Sequence, residues 1–139
     1  MSGILYGVGL GPGDPDLITV KSSRLISQAR VIAYPSLAGG ESFARSIAAD
    51  LISPDAEEIV MDVPMTVERA PAQAAYDIGA KNIAAVLGRG EDVVCLCEGD
   101  PFFYGSFMYL YARLMADYQV EVVPGVTTIT TSAARTGTL

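Results

Sequence analysis

The apolar positions of the chain fall into short strand-like runs separated by longer stretches of helical period. Ile4 to Val8 reads as a strand, about Leu17 to Ala29 as a helix and Val31 to Tyr34 as a second strand. Phe43, Ile47 and Leu51 mark one face of a further helix, and Glu58 to Met61 reads as a third strand. Tyr76, Ala80, Ile83 and Leu87 stand at i, i+4, i+7 and i+11, the stripe of a longer helix. Asp92 to Cys97 is a nearly continuous apolar run suited to a central parallel strand. Phe107, Leu110, Tyr111, Leu114 and Met115 then form another helical stripe, Val120 to Val123 a fifth strand, and the last residues the start of one more helix. Helix-length crossovers between strand starts exclude a hairpin meander. The predicted fold class is α/β, an open, mainly parallel five-stranded sheet with helices on both faces.

Three of the connections are irregular and rich in glycine. The first strand runs into Gly9-Leu10-Gly11-Pro12-Gly13-Asp14-Pro15, where glycine permits close backbone approach, Asp14 can cap the next helix and Pro15 suits its first turn. The fourth runs into Glu98-Gly99-Asp100-Pro101-Phe102-Phe103-Tyr104-Gly105, and the fifth into Pro124-Gly125-Val126-Thr127-Thr128. Taken singly, each loop also reads as a tight turn with a capped helix, and Phe102 and Phe103 as rim packing. In a parallel sheet, however, all three lie on one carboxyl rim, where open α/β sheets bind ligands.

Composition narrows what such a rim holds. With 9 Lys+Arg against 16 Asp+Glu the net charge is −7, and the cations are scattered, which argues against nucleic acid as a partner. Histidine is absent, excluding Ser-His-Asp and Cys-His pairs and every histidine-containing metal site. Cys95 and Cys97 point to one face of a strand and read as small buried hydrophobes; no further ligands accompany them, so no metal site is expected. No run approaches the roughly 20 apolar residues that span a bilayer, and no signal peptide opens the chain, so a reducing cytoplasmic setting without membrane attachment is expected. Neither glycine register satisfies G-x-G-x-x-G, because the sixth position is Pro12 or Asp14, and no Gly-Lys pair supports a P-loop. Asp14, Glu98 and Asp100 would repel a phosphate but suit ribose hydroxyls or a positive charge, favouring an uncharged or cationic nucleoside.

The segments Gly7-Val8-Gly9-Leu10-Gly11-Pro12-Gly13-Asp14-Pro15, Glu98-Gly99-Asp100-Pro101 with Tyr104-Gly105, and Val123-Pro124-Gly125-Val126-Thr127 together resemble the N-terminal signatures of the tetrapyrrole (corrin/porphyrin) methylases. Three modest motifs in this order make a specific signature spanning essentially the whole chain. The run from Leu96 to Leu110, with Ala133-Ala134-Arg135-Thr136-Gly137, is most similar to the branch that methylates precorrin-2 at C-20 in cobalamin biosynthesis. Thr128 stands where many relatives carry Ser or Ala, and Thr138 where a Pro is frequent.

The resemblance implies S-adenosyl-L-methionine as methyl donor, S-adenosyl-L-homocysteine as product and a tetrapyrrole as small-molecule acceptor. It implies a donor site lined by Pro12, Glu98, Gly99, Asp100, Phe103, Thr127 and Thr128. It also implies a homodimer and a second α/β domain, so that residues 1–139 would form the N-terminal half of a two-domain methylase and be inactive alone. An activated donor needs mainly positioning; Tyr104, Glu98 and Asp100 are the chemical candidates for removing the acceptor proton. Arg113 and Arg135 are the candidates for meeting substrate carboxylates. Related alternatives are methylation of another corrin carbon or of uroporphyrinogen III. A reading of another class is a non-catalytic fragment that self-associates through its apolar surface.

Overall fold

The computed structural model describes residues 1–37, 40–64, 68–103 and 105–137. Its strands are β1 (Ile4–Gly9), β2 (Val31–Leu37), β3 (Glu57–Val63), β4 (Val93–Cys97) and β5 (Gln119–Val123), and its helices are α1 (Val20–Gln28), α2 (Phe43–Ala48), α3 (Arg69–Gly88), α4 (Phe107–Leu114) and α5 (Thr128–Thr136). The strands form one sheet in the order β3-β2-β4-β1-β5, each neighbouring pair parallel. This is the architecture the hydrophobic pattern predicts.

Alternation along the strands sorts the side chains into two cores. Leu5, Val31, Ala33, Val93, Cys95 and Cys97 face α3 and α4, where Tyr76, Ile83, Leu87, Phe107 and Leu110 meet them. Val8, Ile32, Tyr34, Val94, Leu96 and Val123 face the opposite layer, packing with Ile26 of α1 and Ala44 and Ile47 of α2. β4 is buried at every position because both faces are covered, which is why its sequence is an unbroken apolar run. Gly7 sits beneath α4 and has the Phe107 ring where its side chain would be: a Cβ there would lie 2.5–2.8 Å from the ring atoms.

Two helical boundaries differ from the sequence expectation, the first because local caps intervene and the second because the helix tightens into a 3-10 turn. Leu17 belongs to a separate 3-10 turn, Pro15–Leu17, capped by Asp14, whose carboxylate accepts from the Asp16 N–H at 2.9 Å. The α-helix proper begins after Thr19, whose hydroxyl oxygen accepts from the Ser22 N–H. Likewise α2 ends at Ala48 and tightens into a 3-10 turn over Ala49–Leu51, so the stripe through Phe43, Ile47 and Leu51 is broken. Phe43, expected on the packed face, is 55% exposed. Arg113 is not available to a substrate: it donates to Asp77 at 2.7 Å, to the Tyr109 carbonyl and to Gln73, tying α4 to α3.

On the other side of the sheet Glu58 accepts from Arg45 Nε at 2.6 Å and from the Tyr34 hydroxyl at 2.7 Å. These bonds hold its carboxyl below the usual carboxylate range, the guanidinium contributing most. The stabilisation is complete above the ordinary carboxylate pKa and is lost as pH falls through the lowered one. Glu58→Gln is therefore expected to flatten the acid limb of a stability profile measured by urea unfolding as pH falls below the ordinary carboxylate range, and to cost less stability in acid than at neutral pH. Gly7→Ala is expected to lower stability at neutral pH by about 1–3 kcal/mol through overpacking, and Phe107→Leu in the same chain to restore part of it.

Candidate functional site

The carboxyl ends of β1, β4 and β5 converge until their backbones touch. Leu10 N–H donates to the Cys97 carbonyl at 2.8 Å, and Gly11 and Gly99 exchange backbone hydrogen bonds at 3.2 and 2.8 Å. Gly11 and Gly99 both adopt positive φ, 77° and 62°, which the crossing loops require. A Cβ on Gly9 would stand 2.6 Å from both the Gly125 nitrogen and the Gly99 carbonyl oxygen, and one on Gly125 only 2.1 Å from that same oxygen. Asp100 locks the third loop to the second. Its Oδ1 accepts from the Gly125 N–H and its Oδ2 from the Phe102 N–H, both at 3.0 Å.

Above this knot lies a recess of about 290 Å³ lined by Gly11, Pro12, Phe43, Glu98, Gly99, Asp100, Phe103, Thr127, Thr128 and Ile129. All seven residues expected in the donor site, Pro12, Glu98, Gly99, Asp100, Phe103, Thr127 and Thr128, therefore line one cavity. Thr127 also caps α5, its hydroxyl accepting from the Thr130 N–H at 3.3 Å. The aromatic pair divides. Phe102 packs back on α4, its ring centroid 5.1 Å from Tyr111 and 6.0 Å from Phe107, whereas Phe103 forms a wall of the recess.

A second, wider recess of about 420 Å³ adjoins it. It lies between the ends of β2 and β4, whose onward connections run in opposite directions, to β3 and to β5, so the chain parts there and leaves a crevice. Ser36, Leu37, Ser42, Met61, Val63, Tyr76, Cys97 and Leu110 are among its walls. None of the β2 and β3 positions stands out in the sequence; the one available cue is Gly39-Gly40 just after the second strand. Phe43 and Glu98 belong to both recesses and form the ridge between them.

Electrostatically the two recesses are one-sided, because among the described residues no Lys or Arg lines either. Glu98 is exposed, yet the surrounding protein desolvates its carboxylate enough to raise its pKa, with no donor or cation beside it among the described residues. Of the three candidate proton acceptors, Asp100 has each oxygen engaged by a backbone N–H, Glu98 has both free, and Tyr104 lies outside the described residues. Burial and the neighbouring Cys95 push the Cys97 thiol well up, with the hydrogen bond to Cys95 the largest cause, so both cysteines act as packing groups. Among the described residues no group of His, Cys, Asp and Glu side chains could hold a metal ion. Arg135 lies outside both recesses, in a third hollow with Pro12, Gly13 and Asp14.

Residues 4–139 match the family model described as Tetrapyrrole (Corrin/Porphyrin) Methylases. The chain belongs to this family. A precorrin-2 C(20)-methyltransferase from Sinorhizobium is 42% identical over 91% of this chain, which spans 57% of that enzyme. Among solved structures, a cobalt precorrin-4 methyltransferase superimposes with a TM-score of 0.67 at 31% identity, over 96% of this chain and 50% of its own. The Thermus thermophilus uroporphyrin-III C-methyl transferase complexed with S-adenyl homocysteine gives 0.65 at 30% identity, over 94% and 48%. The chain thus spans about half the length of the curated methylases it matches.

Asp100→Ala leaves the Gly125 and Phe102 N–H groups without partners and is expected to lower stability by about 1–3 kcal/mol. Amide hydrogen exchange is expected to quicken at Gly125 and through the β5–α5 connection while β2 and β3 stay protected.

Proposed function

We propose that this chain is the donor-binding, N-terminal half of an S-adenosyl-L-methionine-dependent methyltransferase that acts on precorrin-2 at C-20 in cobalamin biosynthesis. The observation that carries the reading is the gathering of Pro12, Glu98, Gly99, Asp100, Phe103, Thr127 and Thr128 around the narrower recess. The choice of acceptor and carbon rests on the Sinorhizobium relative.

The residues present fit this donor. A sulfonium ion brings positive charge and no phosphate, so a recess with two carboxylates and no cation suits it, whereas a nucleotide would be repelled. The Phe103 ring and Pro12 offer apolar faces, and the Thr127 and Thr128 side chains offer polar partners to a nucleoside. When held by these residues the donor would supply an activated methyl group, the C–S bonding pair returning to a neutral sulfur as the C–C bond forms and a proton leaving the acceptor carbon for water. The chain's own contribution is positioning. The loop knot fixes the donor walls, and the wider recess, with walls from Leu37, Met61, Val63 and Leu110, gives the apolar body of a tetrapyrrole a place beside them.

The absence of cations from both recesses supports placing the substrate's carboxylates against a second α/β domain. The same reading carries a homodimer and a reducing cytoplasmic setting, the latter supported by two buried free thiols. Among the described residues no helix is long and apolar enough to cross a membrane.

Calorimetric titration of this chain with S-adenosyl-L-homocysteine is expected to show saturable binding. Thr128→Trp, at an exposed helix position on the recess wall, is expected to abolish it with the circular dichroism unchanged. Binding that survives the tryptophan would place the donor elsewhere. The chain by itself is expected to form no methylated precorrin-2 from the acceptor and S-adenosyl-L-methionine, and detection of that product by mass spectrometry would overturn the assignment of half the active site to another domain.

A further inference from the structure

Methyl transfer changes the charge of the bound nucleoside, from a sulfonium cation before the reaction to a neutral thioether after it. A site that released its product would respond to that difference, and the two carboxylates of the narrower recess are not equivalent in their capacity to do so. Asp100 has both oxygens turned to backbone N–H groups of the loop knot. Glu98 has neither engaged among the described residues, and stands with Phe43 on the ridge shared by the two recesses, the place where a methyl group would pass from one occupant to the other. Among the described residues no Lys or Arg lines either recess to neutralise it. Partial desolvation of its carboxylate makes a counter-charge there more effective than in open water.

Resting on the donor site proposed above, we infer that Glu98 is the residue that distinguishes donor from product, its carboxylate pairing with the sulfonium and losing that partner once the methyl group has left. The role is one of specificity and release. A negative charge beside a sulfonium favours the charged ground state over a transition state in which that charge is dispersing, so Glu98 aids donor binding and product exit at some cost in the transfer step itself.

The test compares S-adenosyl-L-methionine with S-adenosyl-L-homocysteine, titrated calorimetrically into this chain and into its Glu98→Gln variant, with thermal unfolding run on both to establish that each is folded. Glu98→Gln is nearly isosteric and keeps a hydrogen-bonding side chain. It is expected to weaken the sulfonium ligand by about three- to tenfold and to leave the thioether within about twofold, so that the ratio of the two affinities shifts toward product. Equal weakening of both ligands would overturn the inference by making Glu98 a general contact, and no change in either would overturn it by removing Glu98 from the site. Failure of the unsubstituted chain to bind either ligand would overturn the donor-site reading and this inference with it, a result distinct from the other two.

Discussion

Three loops cross at the rim of this sheet in a space that has no room for a side chain. The Gly99 carbonyl oxygen lies where a Cβ on either Gly9 or Gly125 would have to be, and Gly11 and Gly99 bridge one another across the gap. Close approach lets backbone hydrogen bonds, rather than side-chain packing, hold the ends of β1, β4 and β5 in register. Asp100 completes the frame because a carboxylate has two oxygens to offer and the loops present two N–H groups, from Phe102 and Gly125, that would otherwise lack partners. The position of Phe103, Thr127 and Thr128 around one cavity follows from that frame.

The frame also sets the electrostatics above it. Its single carboxylate faces inward to the backbone, which leaves Glu98 with free carboxylate oxygens at the recess, and among the described residues no cation lines the recess to quench it. A chain without histidine has few ways to perform acid–base chemistry, and the proposed donor, already activated, would ask chiefly for alignment.

Much of this was legible in the sequence because the governing signals are local. Strand runs, helical stripes and the glycine loops each report on a few consecutive residues, and parallel topology then places the loops on one rim without further information. The misplacements have equally physical causes. Phe43 has the spacing of a core residue, but α2 lasts only six residues and Phe43 is its first, so the ring stays exposed as a ridge between cavities. Arg113 looks like a cation in search of a substrate until α3 is docked, when Asp77 and Gln73, distant in sequence, come within reach of its guanidinium. The wider recess depends on β2 and β4 becoming neighbours and sending their chains opposite ways, a property of strand order that no local pattern encodes.

Among the described residues the two recesses share just Phe43 and Glu98, and this bears on how such a scaffold changes over time. Leu37 at the end of β2, which is exposed, and Val63 at the end of β3, which is partly buried, line the wider chamber without touching the glycine knot, whereas Met61 and Tyr76 are anchored in the buried core. The Leu37 and Val63 side chains can grow, shrink or change polarity while the loops beneath the narrower recess keep their spacing. The two recesses are thus separately mutable, the wider one being open to reshaping at the ends of two neighbouring strands while the narrower one keeps its walls.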